Sequence, residues 1–218
     1  MKRLEDLIEH DEPALPLLKE LLSNAQRSFQ LLPPSEDNAR VLLGLQVTTR
    51  STLGAVAYET GGILIDGGWL RFLGSGHEQL SRNILDWTHL HDGGGHLLVA
   101  DDAAGGFFSI NGGRFGEDVG SMYYWAPDTL EWEPLEIGYT DFLEWALSDQ
   151  MLMFYKDLKW PTWQEDLEKM SADQCMTFYP FLWTQEGSLE TSSRRVVDVA
   201  EHYELNIGFA SKLENPSS

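Results

Sequence analysis

The sequence predicts an α+β fold: a single domain with a mixed, mainly antiparallel sheet and flanking helices. Three observations predict it. Apolar and aromatic runs follow one another through the middle of the chain, joined by short turns rich in Gly, Asn and Asp, the pattern of antiparallel neighbours rather than of parallel strands with helical crossovers. Helical patterns stand before and after these runs instead of alternating with them one for one. The 218 residues are 42% hydrophobic, which suffices for one core with an extension.

The elements follow in order. Asp11 and Pro13 open a helix whose Leu18, Leu21, Leu22, Ala25 and Phe29 line one face, and Pro33 with Pro34 stops it, so residues 1–39 read as a helical N-terminus. Val41 to Val47 reads as a buried strand. Ser51 or Thr52 caps a short helix through Tyr58, ended by Gly61 and Gly62. The run Gly61 to His77, GGILIDGGWLRFLGSGH, is too apolar for a flexible linker and reads as two strands joined by tight turns. A helix from Leu80 to Leu90 leads to Gly93, Gly94 and Gly95. Then HLLVA from His96, GFFSI from Gly106 and SMYYWA from Ser121 form a β-meander. Ala126, Pro127 and Asp128 turn the chain into a short strand, Leu130 to Leu135, and Thr140 with Asp141 opens a helix striped by Phe142, Leu143, Ala146 and Leu147.

These elements form a core over about residues 40–150. In the extension, 151–218, Met151, Phe154 and Leu158 continue the helix until Trp160 and Pro161 break it. Trp163 to Met170 reads as another helix, Thr177 to Trp183 and Val196 to Val199 as extra strands packed on the core, and Leu205 to Leu213 as a closing helix.

Charge bounds the partners. With 35 acidic and 15 basic residues the net charge is −20, which repels phosphate backbones and anionic membranes, so no nucleic acid and no membrane partner is expected. The same field steers a basic protein toward the surface. The opening MKRLEDLIEHDEP lacks an apolar h-region and no later stretch is long enough to cross a bilayer, so a cytoplasmic location is expected. The single Cys175 forms no internal disulfide and reads as a small apolar residue, in keeping with a reducing compartment.

HLHDGGGH offers His89, His91 and Asp92 as a metal set, with the two histidines on one strand face, and with it an alternative function as a metal-dependent hydrolase. Its spacing matches no established zinc motif, and a solvated loop accounts for it. GSGH at Gly74 to His77 and GGG at Gly93 to Gly95 lack the length and the Lys of a P-loop, and no GxGxxG follows a strand. No GxSxG elbow surrounds Ser75, so Ser75 and His77 are not a nucleophile and base. Asp101 with Asp102 and Glu117 with Asp118 could hold Ca²⁺ or act as acid and base, but exposed turn ends are the usual home for such pairs and are expected for them. No catalytic residue is assigned, and no metal or cofactor is expected.

Binding residues remain. Alternation puts Tyr123 and Trp125 on one strand face and Tyr124 on the other, so at least one large ring is expected at a surface or pocket edge, where carboxylates around it would make an anchor for a basic protein. Arg71, between Leu70 and Phe72, either pairs with a carboxylate in the core or meets an anionic ligand. The residues assigned to binding are Trp69, Arg71, His77, Tyr124, Trp125 and Asp128. A small-ligand sensor with a pocket lined by Trp69 and Arg71 is the second alternative.

Two motifs carry a resemblance. GGILIDGGWLRFLGSGH and, from Met122 to Leu147, MYYWAPDTLEWEPLEIGYTDFLEWAL resemble the bacterial family named domain of unknown function 2625, which implies no activity. More distantly, the order of Asp92 to Gly95, Leu97 to Asp102, Tyr123 to Trp125, Trp132 with Pro134 and Leu135, and Phe142 with Leu143 is similar to the SUKH (Smi1/Knr4-like) superfamily. That resemblance implies a SUKH-like core and an immunity protein whose partner is a toxin domain. The residues before Gly61 and after 150 depart from the pattern.

Overall fold

Seven strands follow each other across one sheet in chain order, each antiparallel to the last: β1 (Phe29–Leu32), β2 (Gly62–Ile65), β3 (Leu70–Leu73), β4 (His96–Asp102), β5 (Phe107–Asn111), β6 (Met122–Trp125) and β7 (Trp132–Pro134). The computed structural model describes residues 1–91 and 94–214. Among these, eight helices accompany the sheet: α1 (Leu15–Ser23), α2 (Asn38–Leu45), α3 (Thr52–Glu59), α4 (Ile84–His91), α5 (Tyr139–Ala146), α6 (Gln150–Phe154), α7 (Trp163–Leu167) and α8 (Val199–Glu214). Two further strands, β8 (Gln174–Tyr179) and β9 (Ser193–Asp198), pair only with each other. The α+β meander is therefore as the turn chemistry indicated.

Strand register decides which residues reach which layer. Leu64, Arg71, Asp101, Phe107, Trp125 and Trp132 stand opposite one another across β2 to β7 and so share one face. Ile63, Phe72, Ala100, Phe108 and Tyr124 share the other. A bulge between Leu98 and Ala100 shifts the alternation in β4, so Leu98 lies on the Asp101 face. Helices α5 and α6 cover the Phe72 face: Phe142 packs at 4.9 Å from Phe72 and 4.7 Å from Phe108, and Phe154 at 5.1 Å from Tyr124. The chain past residue 170 covers the other face, with Tyr203 of α8 edge-on to Phe107 at 4.7 Å.

Several segments differ from the sequence expectation. Val41 to Val47 is not a strand: α2 covers most of it, with Val41 and Leu42 buried, Leu43 exposed, and Gln46 ending it in a left-handed conformation. A run of branched residues fits either period, and here packing on neighbouring α3 decided. Phe29 does not extend the first helix but begins β1, which pairs with β2. Met151 and Phe154 belong to a separate helix that begins at Gln150 after α5 ends, α7 stops at Leu167 rather than Met170, and α4 begins at Ile84 rather than Leu80. β8 ends at Tyr179, so Pro180 to Trp183 lie outside it, and β8 with β9 make their own two-stranded sheet instead of widening the main one. The cap Ser51 was legible: its hydroxyl accepts from the Gly54 amide at 3.0 Å.

Candidate functional site

On one face of the β2–β3 hairpin lies a buried polar network. Arg71 is fully buried, and its guanidinium reaches Asp101 at 2.7 Å, the Gln174 carbonyl at 2.6 Å and the Asp102 carbonyl at 2.6 Å. Its Nε has no hydrogen-bond partner among the described residues. Asp101 also meets Arg82, whose other bonds run to Asp173 at 2.9 Å and the Ala172 carbonyl at 2.7 Å. One carboxylate between two guanidiniums thus ties β3 and β4 to the entry of β8. The reading of Arg71 as a core ion pair holds, and its links to two main-chain carbonyls make it a staple between sheet and extension.

Asp102 points to the opposite face. Its carboxylate accepts from the Ala104 and Gly106 amides at 2.9 Å each, from Tyr124 at 2.9 Å and from Tyr155 at 3.1 Å. Burial raises its carboxyl above the ordinary range, opposed by those donors, and burial raises both tyrosines well above theirs. Gly106 is required at this turn, since a Cβ there would come within 2.2 Å of the Tyr124 hydroxyl and 2.5 Å of the Asp102 carboxylate. Tyr123, Tyr124 and Trp125 are all buried, which corrects the expectation that one of these rings is left at a surface: β7, α6 and the loop at Phe115 cover them.

The hairpin tip is where a recess opens. Asp66, Gly67, Gly68 and Trp69 make the turn, with φ of +49° at Asp66, +70° at Gly67 and +90° at Gly68. Trp69 is fully buried beneath it, against Tyr155 at 5.4 Å, Trp160 at 5.6 Å and Trp163 at 5.1 Å. Above lies a cleft of about 510 Å³ between the tip and α7, bordered by Arg27, Asp66, Gly67, Leu152, Lys159 and Trp163. The ammonium of Lys159 sits 4.2 Å over the Trp163 ring and 5.0 Å over Trp69. Burial lowers the Lys159 pKa below the usual lysine value. Arg27 is occupied by Asp66 at 2.6 Å and Asp149 at 3.1 Å. A second recess of about 260 Å³, bordered by Leu64, Gln79, Met170 and Ala172, shares Gly67 and Leu167 with the first.

The other assigned residues are dispersed. His77 is half-buried, with Nδ1 accepting from the Gln79 amide at 3.1 Å, and Asp128 is exposed in the turn before β7. His89 and His91 do not share a strand face: they lie in α4, where two positions apart means about 200° around the axis. Asp92 lies outside the described residues, among which no three His, Cys, Asp or Glu converge on a metal-sized space. Cys175 is fully buried, and burial raises its thiol. No helix of the described residues is long and apolar enough to cross a membrane.

Lys159 and Arg27 were not singled out by sequence. A lysine beside Trp160 and close to Trp163 in a chain so poor in cations was the available signal. The last feature is the β7 edge, where Trp132 and Phe115, both half-buried, lie 4.8 Å apart, with His96 at 5.6 and 5.3 Å from them. Glu131, Glu133 and Glu136 are exposed around it.

Fold and surfaces define an α+β protein built on one seven-stranded antiparallel meander, with its extension stapled to Arg71 and Arg82 through the Asp173 carboxylate and the Gln174 and Ala172 carbonyls. A family model described as protein of unknown function DUF2625 matches residues 4–202, and the chain belongs to that family. The putative uncharacterized protein YbfG of Escherichia coli strain K12 is 45% identical over 208 residues, covering 94% of this chain and 95% of that protein. An uncharacterized protein of Haemophilus influenzae is 36% identical over 222 residues, covering 98% and 97%. The likeness therefore spans the extension as well as the meander, and it carries no assigned activity.

Proposed function

We propose that the protein is a binding module for a basic protein partner, met at the β7 edge of the sheet. The observation that carries this reading is an uncompensated acidic edge. Eight exposed carboxylates stand between Glu117 and Glu144, no Lys or Arg occurs from Phe115 to Tyr155, and none of the eight is in an ion pair among the described residues. Edge strand β7 lies among them, and the Trp132 and Phe115 rings offer a half-buried apolar seat. Arginine side chains on a partner would stack on those rings while pairing with Glu131, Glu133 or Glu136. Such an edge speeds encounter with a basic partner and rejects acidic ones.

A toxin domain with a basic surface is a partner of this chemistry, and the SUKH-like order of motifs supports that class. The test is a pull-down of the products of neighbouring genes, repeated with the triple variant Glu131→Lys, Glu133→Lys and Glu136→Lys. The expected result is one basic protein, held less tightly as salt rises, lost by the triple variant and neutralised on co-expression with the wild type. Capture that the triple variant leaves unchanged, or no capture of any neighbour's product, overturns the reading.

A further inference from the structure

We infer that the cleft over the hairpin tip binds a small organic carboxylate with an aliphatic body, its head on Lys159 and its body laid across Gly67 toward Leu64 and Met170. The site is separate from the β7 edge, since no residue bordering it falls between 115 and 147.

The charge comes first. Of all Lys and Arg in the chain, only Arg27, Arg71, Arg82 and Lys159 are not exposed. Three of them are ion-paired: Arg27 with Asp66, and Arg71 and Arg82 with Asp101. Lys159 has no ion pair and no hydrogen bond among the described residues: it lies against the faces of Trp163 and Trp69, and Asp66 and Arg27 act on it only at longer range. In a chain of net charge −20 an unpaired, half-buried ammonium is out of keeping with its surroundings. Of the two carboxylates bordering the same cleft, Asp66 is engaged, with Oδ2 on Arg27 and Oδ1 on the Ser28 hydroxyl at 3.2 Å, and Glu168, on the rim, makes no ion pair with Lys159. An incoming carboxylate would meet an ammonium already desolvated by two indoles, where a charge-assisted bond is stronger than in water.

Shape supplies the rest. The cleft, about 510 Å³, is of the size that encloses small ligands. Gly67 and Leu167 border both it and the recess lined by Leu64, Met170 and Ala172, so a cationic end and an apolar end meet over Gly67. Nothing obstructs that saddle, because a Cβ on Gly67 would touch only Leu167 Cδ2, at 3.8 Å, and one on Gly68 would touch nothing. A single unpaired cation with Glu168 on the rim selects a monoanion over a phosphate dianion.

Calorimetric titration of the full chain with octanoate tests this, with octanol, octylamine and acetate as comparison probes. The expected result is saturable one-to-one binding of octanoate, with octanol, octylamine and acetate each weaker by about tenfold or more, roughly 1.4 kcal/mol per tenfold. Lys159→Met should weaken octanoate by about tenfold while leaving octanol and the unfolding midpoint unchanged. Gly67→Asn, which accepts the left-handed backbone and places a side chain on the saddle, should weaken octanoate and not acetate. Octanol binding as tightly as octanoate, octanoate binding undiminished in Lys159→Met, or no saturation with octanoate would each overturn the inference. None of these readouts depends on the protein partner.

Discussion

Arg71, within the β2–β3 hairpin, and Lys159, at the cleft over its tip, have opposite surroundings. Arg71 is sealed between β3, β4 and β8, with a carboxylate and two carbonyls around its guanidinium. Lys159 stands at the edge of a cleft with aromatic faces below and no ion pair among the described residues. A buried cation on one strand whose partners come from two others fixes the three together, and little freedom is left for a ligand. A half-buried cation without partners contributes little to folding and is open to an incoming anion. The comparison locates function by what is unsatisfied rather than by what is perturbed.

The largest effect should come from the sealed side. Arg71→Met leaves the Gln174 carbonyl without its donor and Asp101 with Arg82 alone, and it should cost about 3–5 kcal/mol in urea unfolding. Combined with Asp101→Asn the loss should be less than additive, and strict additivity would break the picture of one coupled network.

Next comes acid. His202, buried behind Gly105 with Asn206 at 2.7 Å from Nε2, has its pKa lowered from 6.5 to about 4, chiefly by burial. Its neutral form is favoured in the fold, so it imposes no penalty above pH 6.5. The penalty grows as pH falls through 6.5 toward 4, where it approaches roughly 3 kcal/mol. Unfolding of wild type against His202→Gln should show that difference opening across this window, and a pH-independent difference would refute it.

Tyr124→Phe removes one donor from buried Asp102 while Tyr155 and two amides remain, so about 1–3 kcal/mol should be lost. The smallest effect belongs to Lys159→Met, whose unfolding free energy should change by less than about 1 kcal/mol, since only cation–aromatic contacts are removed. A loss as large as that of Arg71→Met would make Lys159 a structural residue and erase the contrast.

Much of the meander was legible because its evidence is local. DDAAGG between β4 and β5 admits one kind of connection, and in the fold Asp102 accepts from the amides of Ala104 and Gly106 within that turn. Val41 to Val47 was misread because branched apolar runs suit a strand and a buried helix alike, and only packing on α3 separates them. The site was less legible. Trp69 and Arg71 were chosen for standing in an unusual motif, yet both are fully buried, one as the floor beneath a cleft and the other as a staple. The cleft's own cation lies 88 residues beyond Arg71, a separation no spacing rule spans.

By itself the sequence determined the α+β class, the antiparallel order of the central strands, the acidic character and the family, because turn residues, period-two alternation and net charge are written over short stretches of chain. Tertiary structure alone decided that Asp101 and Asp102 serve opposite faces, that the extension clamps onto Arg71 and Arg82, and that Lys159 is left over Gly67 without a counter-ion. Those outcomes depend on which distant segments come within a few ångströms, and ion pairing and desolvation act only at that range.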